Sequence, residues 1–454
     1  MAKERDRDPG TGDDAEAGAR LRPRVGARVA KALVVILLAA IFVLGSVNAI
    51  SKSRYADFHW YYWAGEQVFK GADLYTYVLD GYIYPPFFAV AMYPLSLLPR
   101  TLAAASWYAG NVVSLVALFG VTYYLLVNPA RALMPWARER WREIKRGKVD
   151  AVVVITFIAT APFWVLNLQL GQINIYLWAL VVLAVYFDRR GIPLAAGGIL
   201  GCACAIKLAP ALIFLYFLFR RRYAVVAVAV FTGVLLFLAP AAVTGWGRNA
   251  ELVREWEWRV VRAGMVEDFV YRVEGNQSLG ALIYRCCRSL GFSPAEEPLD
   301  VVAVKPVLKL ATLAWVAVLF AVGLLRRRPL PPGPDEARGV MFDNLYLSMI
   351  VTSAALVSPF AWDAHFVVLV IPFMAVAYAL RTFVRRRVVR GVAIALLSGG
   401  VLLSVVTSNM WGAAVAAAAY HYRGVAAAAI LVYAAVVLLL FELRFGPGRR
   451  VAPP

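Results

Sequence analysis

Charge is scarce in this chain of 454 residues: Asp, Glu, Lys and Arg make up 17% of it, while 61% is hydrophobic. A soluble fold of that size cannot hide so much apolar surface, which excludes the soluble enzyme classes. The apolar blocks carry essentially no carboxylate, and many are long enough to cross a hydrocarbon core of roughly 30 Å. There are only 4 cysteines, too few for a disulfide framework. Cys202 and Cys204 lie in an apolar block and Cys286 and Cys287 are adjacent, so all are read as packing residues. The 3 histidines stand far apart and form no metal pattern. A divalent ion carried by Asp57 and Asp363 stays open, and no cofactor is required on this reading. No strand followed by a Gly-rich phosphate loop occurs, which removes the usual soluble nucleotide site.

What charge there is has one dominant sign, 47 Lys and Arg against 28 Asp and Glu, a net +19. The basic residues cluster between apolar blocks, as the positive-inside bias requires, so nucleic acid is not an expected partner and the lipid bilayer is. Clusters fall before residue 32, at 128–149, 189–190, 220–222, 326–328, 381–390 and 444–450. If all are cytoplasmic, an even number of crossings separates each neighbouring pair. Twelve blocks satisfy that parity: 32–50, 102–127, 150–167, 172–188, 193–206, 208–219, 223–243, 306–325, 342–357, 364–380, 391–408 and 424–443. Residues 82–99 are apolar but hold Pro85, Pro86, Pro94 and Pro99. Proline breaks helix interiors, so this stretch is expected as a juxtamembrane or re-entrant element. The block 193–219 is basic at both ends, so it must go in and come back as two short helices of about 18–21 Å with Lys207 at the tip.

The expected fold class is therefore an all-α polytopic membrane protein of about 12 transmembrane helices with two large outer loops, 51–101 and 244–305. Trp246, Trp256 and Trp258 amid mixed charge suggest a partly interfacial helix in the second loop. Residues 1–31 read as a disordered cytoplasmic tail, 32–443 as the membrane domain and 444–454 as a second cytoplasmic tail. The block at 32–50 has no cleavage pattern after it and reads as a first span rather than a signal.

With that topology the unusual polar residues all face outward. Asp57 follows the first span, and a sugar hydroxyl attacks only as a carboxylate takes its proton; a plain helix-capping Asp is the competing reading. Lys207 sits below the surface, where a cation is costly unless it meets an anion, and a lipid phosphate lies at that depth; snorkelling to the interface is the alternative. A departing phosphate needs charge stabilisation rather than a general acid. His365 and His59 are candidates for phosphate or acceptor hydrogen bonds, and Asp363 for orienting His365. Gln172 and Asn174 suit sugar hydroxyls, although polar turns are commonly just capped helix ends. Asn276-Gln277-Ser278 matches an N-glycosylation acceptor, a pattern too short to carry weight.

Taken together, Asp57 with Tyr84-Pro85-Pro86, Gly171-Gln172 with Asn174, Lys207 with Pro210, Asn276-Gln277-Ser278, and Ser358-Pro359 with Trp362 and His365 resemble glycosyltransferase family 87. The resemblance implies a GT-C-like bundle and an inverting transfer from a polyprenyl-phosphate-linked sugar to a glycolipid or glycan hydroxyl. Mannose is the first choice of sugar on family frequency. It further implies Asp57 as the base and Lys207 and His365 as donor-phosphate ligands. The residues expected to contact substrate are His59, Tyr84, Gln172, Asn174, Asn276, Gln277, Trp362 and Asp363. The expected location is the cell membrane, multi-pass, with both termini cytoplasmic and the site on the periplasmic or extracellular side. The competing function is a transporter or lipid-linked-glycan flippase. Coupled carriers place carboxylates inside spans, and Lys207 is the one charge at depth here.

Overall fold

A backbone in hydrocarbon must satisfy its own N–H and C=O groups, so apolar blocks become helices. The computed structural model describes Val47 and residues 56–75, 81–127, 133–145, 149–262, 273, 275–290, 301–326, 336–406 and 423–446. Among these there is helix and no strand. In chain order the helices are α1 (Ala56–Gln67), α2 (Pro86–Ser96), α3 (Arg100–Val127), α4 (Leu133–Lys145), α5 (Ala151–Ala159), α6 (Ala161–Leu170), α7 (Asn174–Arg189), α8 (Pro193–Ile206) and α9 (Ile213–Phe219). There follow α10 (Tyr223–Leu238), α11 (Trp246–Trp256), α12 (Leu279–Ser289), α13 (Val301–Arg326), α14 (Glu336–Leu356), α15 (Val370–Thr382), α16 (Arg387–Val406) and α17 (Gly424–Phe445).

By length and composition, 7 of the described helices can cross a membrane, and the pair α5–α6, bent by 59°, makes an eighth. The bend falls where Pro162 enters α6 and withholds a backbone donor. The protein is thus a multi-pass, all-α membrane protein. The other expected crossings are shorter: α7 has 16 residues and α8 has 14. The block at 32–50 lies outside the described residues apart from Val47, as do the first tail and residues 447–454 of the second, whose residues 444–445 end α17.

The sequence 193–219 does fold as a hairpin of short helices. Lys207 breaks the run in extended conformation (φ −156°, ψ 137°), and the 3-10 turn Ala209–Leu212 leads into α9. The return is proved by ion pairs: Arg220 after α9 bonds Asp188 at the end of α7 (2.8 Å) and Asp343 on α14 (3.2 Å), while Arg222 reaches Asp188 at 3.2 Å. Arg189 bonds Asn344 and Arg381 bonds Asp150, both at 2.6 Å. One end of the bundle therefore collects the basic clusters. α8 lies against α10 through Gly197 and Gly201, where an added Cβ would come within 2.7 Å and 2.5 Å of backbone oxygens of Val225 and Ala229. This is the small-residue packing that brings membrane helices close.

α14 is the central helix, buried over 89% of its apolar stretch, whereas α10 and α13 reach 22% and α16 only 17%. The last three form the lipid-facing perimeter. Residues 82–99 supply α2, with Pro86 in its first turn, packed against α1 at Gly65. α11 leaves Trp246 exposed and buries Trp256, as an interfacial helix would. The two large loops are joined to each other: Arg259 bonds Asp73 at 3.0 Å, Arg248 bonds the Ala72 carbonyl at 2.7 Å, and Trp256 donates to the Ile83 carbonyl.

Candidate active site

The site is built at the end of α7 opposite the basic clusters. A helix of 16 residues separates the two by about 24 Å. α6 stops at Gly171, whose φ of 68° and ψ of 33° are left-handed, the usual glycine closure of a helix. Trp107 on α3 donates its indole N–H to the Gly171 carbonyl at 2.7 Å, and the Gln172 amide bonds back to the Asn167 carbonyl at 3.0 Å. The turn is thereby fixed, and Gln172 and Asn174 point into the same space. Gln172 Nε2 donates to Asp57 Oδ2 at 2.7 Å, and Asn174 Nδ2 donates to Gln172 Oε1. Lys207 Nζ stands 3.2 Å from Asn174 Oδ1, so two amides link the carboxylate to the amine.

His365 closes the other side, with Nε2 at 2.8 Å from Lys207 Nζ. Its Nδ1 accepts the Trp362 backbone N–H at 2.8 Å. This ring sits in the 3-10 turn Asp363–Leu369, which Asn167 ties to α6 by donating to the Ala364 carbonyl at 2.6 Å. Tyr84 presents its ring to Lys207, with Nζ 5.6 Å from the centroid, and its hydroxyl lies 2.9 Å from that of Tyr61. Behind Asp57, Phe58, Tyr61, Phe88 and Trp107 pack as one aromatic cluster. Burial there pushes the Asp57 carboxyl above the ordinary range, and the Gln172 bond pulls it part of the way back. Burial also raises the Tyr84 phenol, and the Asp57 charge adds to it.

Beside Lys207 and His365 lies a small, half-open cavity. Leu177, Trp178, Ala209, Pro210, Ala354 and Ala355 line it, with Asn174 and Ser358 as further polar groups. Its apolar wall and polar head match the two parts of an amphiphile with an anionic headgroup. Among the described residues no three His, Cys, Asp or Glu side chains gather as metal ligands.

Asp57, Tyr84, Gln172, Asn174, Lys207 and His365 thus come together as expected. His59 does not join them: α1 turns it away, its Nδ1 lies 2.8 Å from Arg100 Nη2, and its ring leans on Trp60. Asn276 is engaged by neighbouring backbone. It donates to the Pro359 carbonyl at 2.7 Å, and its Oδ1 accepts from the Ser278 and Ala361 amides, which staples 275–278 to 359–362. Trp362 packs so tightly over Gly275 that an added Cβ would lie 1.7 Å from its ring. The Gln277 side chain is fully buried with neither amide atom hydrogen-bonded among the described residues, and Asp363 Oδ1 is buried likewise. Tyr61, which bonds Tyr84, and Trp107, which bonds Gly171, are positioning groups that the sequence did not single out. Only the packing of α1 on α3 reveals them.

The profile of glycosyltransferase family 87 matches residues 82–359. This chain belongs to glycosyltransferase family 87. Asp57 and His365 lie just outside the matched stretch, and the hydrogen bonds to Gln172 and Lys207 bind them to it. A polyprenol-phosphate-mannose-dependent alpha-(1-2)-phosphatidylinositol pentamannoside mannosyltransferase of Mycolicibacterium smegmatis is 26% identical over 373 residues, 79% of each chain. A phosphatidylinositol mannoside mannosyltransferase of the same dependence and organism is 29% identical over 334 residues, covering 72% of this chain and 67% of its own. A Mycobacterium tuberculosis pentamannoside enzyme is 28% identical over 316 residues, 66% of each. No solved structure matches the chain. Family membership makes this family 87 protein a membrane glycosyltransferase and sets aside the carrier reading.

Proposed function

We propose that this family 87 enzyme moves a mannosyl unit from a polyprenyl-phosphate carrier to a hydroxyl of a lipid-anchored mannoside, with inversion, on the outer side of the membrane. The relatives' names supply the sugar and the class of acceptor. The carrying observation is that one carboxylate and one amine, Asp57 and Lys207, share a pocket end through Gln172 and Asn174. The acceptor oxygen forms the new bond to the anomeric carbon while its proton passes to Asp57. The bond from that carbon to the phosphate oxygen breaks, and its electron pair leaves with the phosphate, held by Lys207 and the His365 N–H. The apolar wall of Leu177, Trp178, Pro210 and Ala354 takes the first isoprene units of the donor.

The basic end of the bundle is assigned to the cytoplasm on the positive-inside bias, which puts the site outside. Nucleotide sugars are cytoplasmic, so a lipid-borne donor is the form that reaches it. No cofactor enters this scheme. The test is transfer of radiolabelled mannose from polyprenyl-phosphate-mannose by the purified protein in lipid. Asp57→Asn is expected to lose at least about 100-fold in rate, the low end of what a general base contributes, with donor binding intact. Full activity in that variant would remove Asp57 as the base.

A further inference from the structure

The hydrogen bonds around His365 fix more than its position. Its Nδ1 faces a backbone N–H, that of Trp362, at 2.8 Å. A backbone amide can only donate, so Nδ1 carries no proton. The neutral ring then bears its proton on Nε2, the atom 2.8 Å from Lys207 Nζ. An ammonium group has three donors and no acceptor, so a charged Lys207 at this distance would set donor against donor. The contact is satisfied only when Nζ offers a lone pair to the Nε2–H, while one of its own hydrogens goes to Asn174 Oδ1 at 3.2 Å.

We propose, resting on the donor reading above, that Lys207 is a neutral amine in the empty site and takes up a proton when the anionic phosphodiester binds. His365 serves throughout as a neutral Nε2–H donor whose tautomer is set by the Trp362 amide. The titratable groups facing Lys207 are His365 from the 3-10 turn, Asp57 from α1 and the Tyr84 ring ahead of α2. α7 presents the uncharged Asn174. Asp57 and the Tyr84 face favour the ammonium, and the His365 N–H opposes it. A bound phosphodiester tips that balance. Its oxygens accept both from the new ammonium and from Nε2–H, so the donor–donor conflict disappears. A proton enters with each donor, the site never holds an unpaired buried cation, and Trp362 and His365 become residues that position this exchange.

The test is calorimetric titration of the whole protein, in nanodiscs, with farnesyl methyl phosphate, a phosphodiester monoanion that takes up no proton itself near neutral pH. Runs in buffers of different ionisation heat count the protons. Proton uptake on binding is expected, with affinity falling roughly tenfold per pH unit on the alkaline side. Lys207→Arg, whose guanidinium stays charged, is expected to bind without uptake and with a flat pH profile. Binding by the unaltered protein with no proton uptake would overturn the proposal and leave the donor site standing. Failure of the phosphodiester to bind at all would overturn the donor reading, and this proposal with it.

Discussion

A carboxylate set among Phe58, Tyr61 and Trp107 gives up hydration and keeps its charge through the partners it retains. For Asp57 the foremost of these is the Gln172 amide. A base must be ionised to act, so the acid limb of kcat/KM is expected above the ordinary carboxylate range. Gln172→Met removes the bond that favours the ionised form, and the limb is expected to move to still higher pH while the rate at high pH recovers much of its value. A pH profile checks this, and an unmoved limb would mean that Gln172 meets substrate instead. Asp57, Lys207 and His365 were legible in the sequence because a lone polar group in apolar surroundings needs a reason to be there. That the side chains of His59 and Asn276 are bonded elsewhere was not legible. Both are polar and close to the right residues in sequence, but which loop or helix each bonds is decided by packing. Arg423, fully buried and donating to the Val273 carbonyl at 2.9 Å, carried no pattern that could have drawn notice.

Among the elements, the crossing of α8 and α10 sets the depth of Lys207, which follows α8 directly. Gly197 and Gly201 let the two backbones touch, whereas an added Cβ at Gly198 meets nothing within 4 Å. Gly201→Val is expected to lower stability by about 1–3 kcal/mol, the usual range for overpacking, and to raise the donor KM by tilting the hairpin tip. Gly198→Ala is expected to change neither. Thermal unfolding in detergent together with donor kinetics separates these outcomes, and equal effects at both positions would argue against a close crossing. The hairpin was readable from its basic ends, since parity demanded a return. The break in α5–α6 was not, because Pro162 near a helix start can equally begin an independent helix. Nor could the sequence show that Arg259 and Arg248 tie the second large loop to the first, as no periodicity links segments so far apart in the chain.

At the scale of the whole molecule, the two ends of the bundle divide the polar residues by task. One end holds ion pairs among Arg220, Asp188, Asp343 and Arg222, with Arg220 and both Asp side chains largely buried. The other end holds Asp57 and Lys207, linked by two amides, and the cavity beside them. Removing one partner of a buried pair strands the other, at about 3–5 kcal/mol. Asp188→Ala is therefore expected to unfold the protein at markedly lower temperature without altering the donor KM of the fraction that survives. The division also makes sidedness testable with a group the protein already carries. Cys286, on α12 beyond the Asn276 staple, is exposed, whereas Cys204 and Cys287 are buried and Cys202 is partly covered within α8. A membrane-impermeant maleimide is expected to label intact cells through Cys286 and to lose that labelling in Cys286→Ser. In that background, Arg221→Cys places a thiol at the exposed turn between α9 and α10, and labelling is expected only after the cells are permeabilised. Reversed labelling would put the carboxylate and the amine on the cytoplasmic side, where a soluble nucleotide sugar could serve as donor. The need for a lipid carrier would then lose its physical basis even though the hydrogen-bond geometry stayed as it is.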